Sequence, residues 1–360
     1  MLVFSVEMLP ARQGDCLWIE YGDPDQSHVI LVDGGMTETA AAIQQKIRNR
    51  STGKRLRIEL IVVTHIDTDH ILGIPELLKD PNLDLEIGDV WFNGRPQLEK
   101  AFPDLLGTVQ GDELSELLGR RKYPWNAIFG GELVVFDNVK PPRKVLDGGL
   151  CLTVIGPPRE RLAALAKTWI AVKGGTDSAE TDGLGKEDDI LGRNDVWPAQ
   201  WKEVKAFDTA VANGSSIALI AEFEGKRLLL SGDAFAPDLI DGLAQYRAHY
   251  ASNETGGLPF AAVKLSHHGS VKNISKDLLD AINCRRYLVS TDGTQHKHPD
   301  TQALLRVIRW GGGIPTFHFN YRKERTDWWI DRGGELPSEF QLYEKAHPSV
   351  DRNGWLKVVL

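Results

Sequence analysis

Histidine and aspartate supply the reactive side chains of this sequence, and four of them crowd into one short segment, Thr64-His65-Ile66-Asp67-Thr68-Asp69-His70. The apolar run Leu60-Ile61-Val62-Val63 before it reads as a buried strand, and the pattern of Ile71–Lys79 after it predicts a helix. His65, Asp67, Asp69 and His70 thus leave the carboxyl end of a strand within six positions. Imidazole nitrogens and carboxylate oxygens packed this densely suit one or two divalent cations. Aspartate and histidine also cap helices in ordinary strand-to-helix loops, but four at this spacing exceed what capping requires.

The segment resembles the metal-binding signature of the metallo-β-lactamase superfamily, usually written H-x-H-x-D-H, here with Asp67 in the second place. That variant is similar to the hydrolase domain of ComEC-type DNA-uptake competence proteins and to bacterial phosphorylcholine esterases. Gly14-Asp15-Cys16 and His28-Val29-Ile30-Leu31-Val32-Asp33-Gly34-Gly35 resemble the family's opening strands and Asp-Gly turn. Asn213-Gly214-Ser215-Ser216-Ile217 precedes Leu228-Leu229-Leu230-Ser231-Gly232-Asp233, which looks like the strand ending in a metal-bridging aspartate. Lys264-Leu265-Ser266-His267-His268-Gly269-Ser270 and His298-Pro299 close the series. The landmarks run from about residue 1 to 310. They imply an α+β fold, a four-layer αββα sandwich with the metal site at one edge between two sheets.

Two divalent metal ions, Zn²⁺ or Mn²⁺, are what the resemblance implies. One would lie among His65, Asp67 and Asp233, the other among Asp69, His70, Asp233 and a later histidine. Most dinuclear members place a further histidine before the bridging aspartate, yet none occurs here from Ile71 to Asp233. Asn213 or a water is expected in that space. Strand alternation points His267 and His268 to opposite sides. One of the two can then bind metal, with His267 the ligand expected, while the other, His268, hydrogen-bonds a substrate oxyanion, orients a carboxylate or passes a proton. By motif order His298 resembles the family's last histidine and stays an alternative. His296 reads as a solvated loop residue, and His28, His249, His318 and His347 as structural.

Two cations sharing a carboxylate would turn a trapped water into a hydroxide and polarise the bond to be broken. Asp67 or Asp69 would orient that hydroxide, and His268 or His298 would protonate the leaving oxygen. A shell with only two or three imidazoles is oxygen-rich, which keeps Mn²⁺ beside Zn²⁺. The expected reaction is hydrolysis. A phosphodiester target, DNA included, follows from the resemblance to the competence-type and esterase branches. The alternative is a small-molecule ester, lactone or phosphoester; a non-catalytic binding protein fits the ligand set less well. A nuclease needs an open basic channel, a small-ester hydrolase a closed apolar pocket. Asn213, Ser270, Arg322 and Lys323 are the candidate substrate contacts. The last two belong to His318–Arg325, where basic and aromatic residues interleave ahead of Trp328-Trp329. That stretch could grip phosphates and bases, or be a strand and turn over a packed Trp pair. Arg120-Arg121-Lys122 is likewise either a phosphate contact or a solvated helix end.

These residues need a scaffold, and the chain has the means to build one. It holds 360 residues, 42% of them hydrophobic, and a net charge of −8. That charge gives no global attraction to nucleic acid, so a polyanion would need a local basic patch. The start Met1–Glu7 alternates like a first strand and lacks the apolar core of a signal peptide. No apolar stretch approaches the ~20 residues of a membrane span. Cys16, Cys151 and Cys284 lie far apart, which argues against a disulfide framework or thiolate zinc site and for a reducing cytoplasm. One domain over 1–360 is expected, with an irregular insertion at about 95–145 that includes a helical Asp112–Gly119, and an acidic loop at about 174–200. Leu2–Leu9, Cys16–Tyr21 and Val29–Asp33 read as strands, and Thr37–Arg48 as a helix capped by Thr37.

Overall fold

Alternating apolar residues in the first thirty positions build an antiparallel meander, as a period of two requires. The computed structural model describes residues 1–51, 55–103, 112–137, 139–168, 207–331, 344–348 and 354–360. It opens with β1 (Val3–Met8), β2 (Leu17–Gly22) and β3 (His28–Val32). Helix α1 (Thr39–Arg50) leads through β4 (Leu56–Ile58) to β5 (Leu60–Val62). Helices α2 (Thr68–Ile71) and α3 (Gly73–Lys79) precede β6 (Leu85–Ile87), β7 (Val90–Trp91), α4 (Arg95–Ala101) and α5 (Glu113–Arg121).

The second half starts with β8 (Arg143–Val145), β9 (Cys151–Gly156) and α6 (Arg159–Thr168). After α7 (Val211–Gly214) come β10 (Ala218–Phe223), β11 (Lys226–Leu230) and the long α8 (Ala236–Tyr250). Then follow β12 (Leu258–Phe260), β13 (Ala262–Lys264), α9 (Lys276–Asp280), β14 (Ile282–Cys284) and β15 (Arg286–Val289). The chain continues through α10 (Thr301–Trp310), β16 (Thr316–Phe319), α11 (Glu324–Asp331), β17 (Glu344–Pro348) and β18 (Leu356–Val359).

Two sheets carry the fold, one in the order β18-β1-β2-β3-β5-β7 and one in the order β17-β16-β15-β13-β11-β10-β9-β8. Val6, Ile19, Ile30 and Val62 of the first pack against Leu152, Leu219, Leu228 and Leu288 of the second. Each large side chain buried there contributes about 1.5–3 kcal/mol. Ile43, Ile47 and Leu77 from α1 and α3 belong to the core on the first sheet's outer face. Leu239, Leu243, Leu304 and Val307 from α8 and α10 do the same for the second. Helix, sheet, sheet, helix: the four expected layers are present.

Strand direction places the site. β3 and β5 are parallel, and so are β11, β13 and β15. Parallel neighbours deliver their carboxyl ends to one edge, so Asp33, Thr64–His70, Asp233, His267, His268 and Ser290 all emerge from strand ends.

Local boundaries differ in instructive ways. Helix α1 begins at Thr39 with Glu38 at its N-cap, not at Thr37. The helix expected over Ile71–Lys79 is two short ones, because Gly73 N donates to Gly35 O (3.1 Å) and Asp69 O accepts from Asp15 N (3.2 Å). In the region 95–145 the helix read at Asp112–Gly119 is α5, with Asp112 capping it through Ser115 N, and α4 is a second helix not expected from the sequence. The acidic loop expected at 174–200 lies outside the described residues. Among the described residues no helix is long and apolar enough to cross a membrane.

Candidate metal centre

Asp33, at the end of β3, organises the signature segment. Its Oδ1 accepts from Thr64 N (2.7 Å) and its Oδ2 from Thr64 Oγ1 (2.8 Å) and His70 Nδ1 (2.8 Å). Thr64 has spent its hydroxyl proton on Asp33, so its oxygen receives His65 Nδ1 at 2.9 Å, with Ser216 Oγ at 3.2 Å. Both rings thereby hold a proton on Nδ1 and turn an Nε2 lone pair inward. His65 Nε2 faces Asp67 Oδ2 (3.5 Å) and Asp233 Oδ2 (3.9 Å).

Asp233 is the centre of the arrangement. It follows Gly232, whose φ of +50° suits glycine. A Cβ on Gly232 would stand 3.2 Å from the Cβ atoms of both Thr64 and Ser216, so its absence lets the two sheets' loops close up. Asp233 Oδ1 lies 3.5 Å from His70 Nε2, and Oδ2 lies 3.7 Å from His268 Nε2 and 3.9 Å from His267 Nε2. Four imidazole Nε2 atoms converge on one carboxylate.

The alternation expected for His267 and His268 does not occur. Strand β13 stops at Lys264, and Ser266–Gly269 forms a tight 3-10 turn in which both histidines have positive φ, 48° and 52°. That left-handed geometry costs of order 1–3 kcal/mol per residue, and it swings both rings to the same side. His268 Nδ1 donates to Ser290 O (2.8 Å), and its Nε2 meets His70 Nε2 (3.3 Å) and Asp69 Oδ2 (3.4 Å). His268 is therefore enclosed among the cation-facing groups, at 1% exposure, and not turned outward to a substrate. Four inward imidazoles also make the shell richer in nitrogen than expected.

Underneath lies a buried ion pair, Lys264 Nζ to Asp15 Oδ2 at 2.7 Å, with Asp15 Oδ1 3.4 Å from His268 Nδ1. Burial works against the charge on Asp15, but Lys264 and then His268 outweigh it and bring its pKa down to about 2. Burial opposes ionisation of Asp233 too; His70, His268 and His267 hold it well below the usual carboxylate range. Burial would push the His70 pKa down, yet Asp233, Asp69 and Asp33 raise it well above that of a free imidazole. His268 is raised in the same sense, with Asp233 and Asp15 overcoming burial.

The donor set fits divalent cations. Among the described residues, buried His65 Nε2 and Asp233 Oδ1 have no hydrogen-bond partner. Two triads, Asp15-His70-His268 and His65-His70-Asp233, bring their donor atoms within 4.8 Å of one another. Nitrogen and carboxylate oxygen in this mixture are donors that a divalent cation accepts.

Several expected contacts sit elsewhere. Asn213 Nδ2 donates to Asp208 Oδ2 (2.8 Å) and lies 3.4 Å from His267 Nδ1. Ser270 is fully buried and shapes the turn, its N donating to His267 O (2.8 Å). His298 is buried with its ring centroid 5.0 Å from that of His267. His296, set aside as a loop residue, stacks on His298 at 6.4 Å. Tyr321, Arg325, Trp328 and Trp329 are buried, so the basic-aromatic stretch packs inward. Arg322 pairs with Asp327 (3.1 Å) and Lys323 is exposed at the start of α11. Asp208, Lys264, Asn273 and Ser290 had no assigned role in the sequence, and only Lys264 lay in a quoted motif. A cleft of about 230 Å³ opens beside Asp208, lined by Arg161, Phe207, Thr209, Phe235 and Lys272.

Residues 9–136 match the family model of the metallo-beta-lactamase superfamily. No curated protein matches the chain. Among solved structures it is similar to a variant of CmlA beta-hydroxylase, at 9% identity and a TM-score of 0.43, over 99% of this chain and 54% of that one. This chain thus spans about half the length of that structure. The fold is the metallo-β-lactamase fold, a mixed α and β sandwich.

Proposed function

We propose that this chain, carrying the metallo-β-lactamase fold, is a metal-dependent hydrolase of phosphodiesters. The observation that carries the reading is the convergence of His65, His70, His267 and His268 through Nε2 on Asp233, at 3.5–3.9 Å. His65, Asp67 and His267 would hold one cation with Asp233; Asp69, His70 and His268 would hold the other. Such a pair, when bound, lowers the pKa of water and neutralises charge on a phosphoryl group.

The protein's own groups do the rest. Asp33, Ser290 O and the Thr64–Ser216 hydroxyls fix three imidazole tautomers, so no reorganisation precedes binding. Asp67, with 38% of its side chain exposed, is the carboxylate open to an incoming nucleophile. His298, edge-on to His267, is the group we assign to protonate the departing oxygen.

A phosphodiester draws support from the aspartate in the second place of the signature, the variant similar to competence-type and phosphorylcholine-esterase branches. A small or flexible substrate is favoured over a wrapped nucleic acid. Net charge is −8 and the aromatics of 321–329 are buried. Hydrolysis should be assayed on bis-p-nitrophenyl phosphate, on single-stranded DNA and on a carboxylic ester, each with Zn²⁺ or Mn²⁺ and with chelator. Cation-dependent turnover of the diester is expected. Turnover of the carboxylic ester alone would move the protein to the small-ester class, and no turnover of any substrate by cation-loaded protein would reject hydrolysis.

A further inference from the structure

We infer that Asp208 is a positioning residue that sets His267 as a cation ligand; this deepens the metal-centre reading above and rests on it. Asp208 stands just before α7, 9% exposed. Its Oδ1 accepts from Ala210 N (3.0 Å), closing a local turn. Its Oδ2 accepts from Asn213 Nδ2 (2.8 Å) and Asn273 Nδ2 (3.0 Å), and lies 3.2 Å from His267 Nδ1. Those amide donors fix Oδ2 in place as an acceptor. The proton between it and His267 is therefore assigned to Nδ1. The Nε2 lone pair of His267 is then directed at Asp233 Oδ2, 3.9 Å away.

The backbone makes this support necessary. His267 sits at φ +48°, a conformation a bulky residue leaves unless the surroundings hold it. Asn273 braces the same point from another side: its Oδ1 is 3.2 Å from His267 Nδ1, and its Nδ2 also reaches Asp233 O (3.2 Å). Carboxylate, imidazole and cation in line is the arrangement that tunes metal affinity from outside the ligand set.

The test is cation binding to the full chain, followed by titration calorimetry with Zn²⁺ alone and by the visible spectrum with Co²⁺. Wild type is expected to take up two equivalents. Asp208→Ala and the near-isosteric Asp208→Asn are expected to weaken one equivalent about 10–100-fold and leave the other unchanged. The Co²⁺ band of the weakened equivalent should shift, while cation-free melting of Asp208→Asn stays at the wild-type temperature. In a His267→Ala background, Asp208→Ala should add no further loss. Two unchanged equivalents in Asp208→Ala, or a loss that persists in the His267→Ala background, overturns the inference alone. A wild-type chain that binds no cation overturns the metal-centre reading and the inference with it.

Discussion

His70 Nε2 and His268 Nε2 stand 3.3 Å apart, although each ring already donates its Nδ1 proton, to Asp33 Oδ2 and to Ser290 O. Two neutral imidazoles so placed would oppose lone pair to lone pair inside a buried site. Something positive has to lie between or beside them, a proton or a cation. The carboxylates of Asp69 and Asp233 favour either.

Cation uptake should therefore release protons. Both histidines have raised pKa values in the cation-free protein, and a metal displaces what they carry. Calorimetry at pH 7 in two buffers of different ionisation enthalpy should give different apparent heats. Elemental analysis should approach two ions per chain, and melting should rise with added cation, by the equivalent of about 2.7 kcal/mol at one hundred times Kd. Equal heats in both buffers would mean that the imidazoles start neutral.

Asp233→Ala should remove both cations and all turnover, since both sites share that carboxylate. His268→Ala should cut cation content as well as rate, because its Nε2 is enclosed. His298→Ala should lower the rate by roughly 10²–10⁴-fold and leave cation content intact. Metal loss in His298→Ala would exchange the roles of the two histidines.

Lys264→Met should destabilise the fold by about 3–5 kcal/mol, the usual loss when one member of a buried pair is left alone. Asp15 and Lys264 are each 1% exposed in their side chains. Urea unfolding reads the change, and Asp15→Asn combined with Lys264→Met should recover part of it. Additive losses would show that the two charges do not act as a pair.

A pH signature belongs to Glu20, away from the centre. Burial raises its pKa, but hydrogen bonding and charge from Lys357, with Arg50 and Trp18, bring it below 4.5. A depressed carboxylate adds stability above its unfolded pKa and loses it as pH falls through the folded value. Glu20→Gln should thus destabilise at pH 7, and the gap to wild type should shrink as pH drops below about 4.3. A gap independent of pH would assign the effect to packing.

How much of this was legible depended on the range of the signal. The cluster from His65 to His70 is local, and its density pointed directly to a candidate cation site. Asp233 was readable because an apolar strand and a Gly-Asp turn precede it. The common orientation of His267 and His268 was not, since left-handed torsions leave no trace in an alternation pattern. Asp208 meets His267 across 59 positions, and Lys264 meets Asp15 across far more; such pairs exist only after folding. Helix α8 was missed despite buried Leu239, Leu243 and Tyr246 at helical spacing, a pattern the sequence did contain.

Ser5 pairs with Val359 where β1 meets β18, which sets a timetable for biosynthesis. At ribosomal rates of 5–20 residues per second, β1 waits on the order of tens of seconds for that partner. During the wait its outer edge is a row of unsatisfied amides and carbonyls, open to pairing with another nascent chain. The first sheet therefore closes only after residues 356–359 have been made, and until then chaperone demand should concentrate on the open edge of β1.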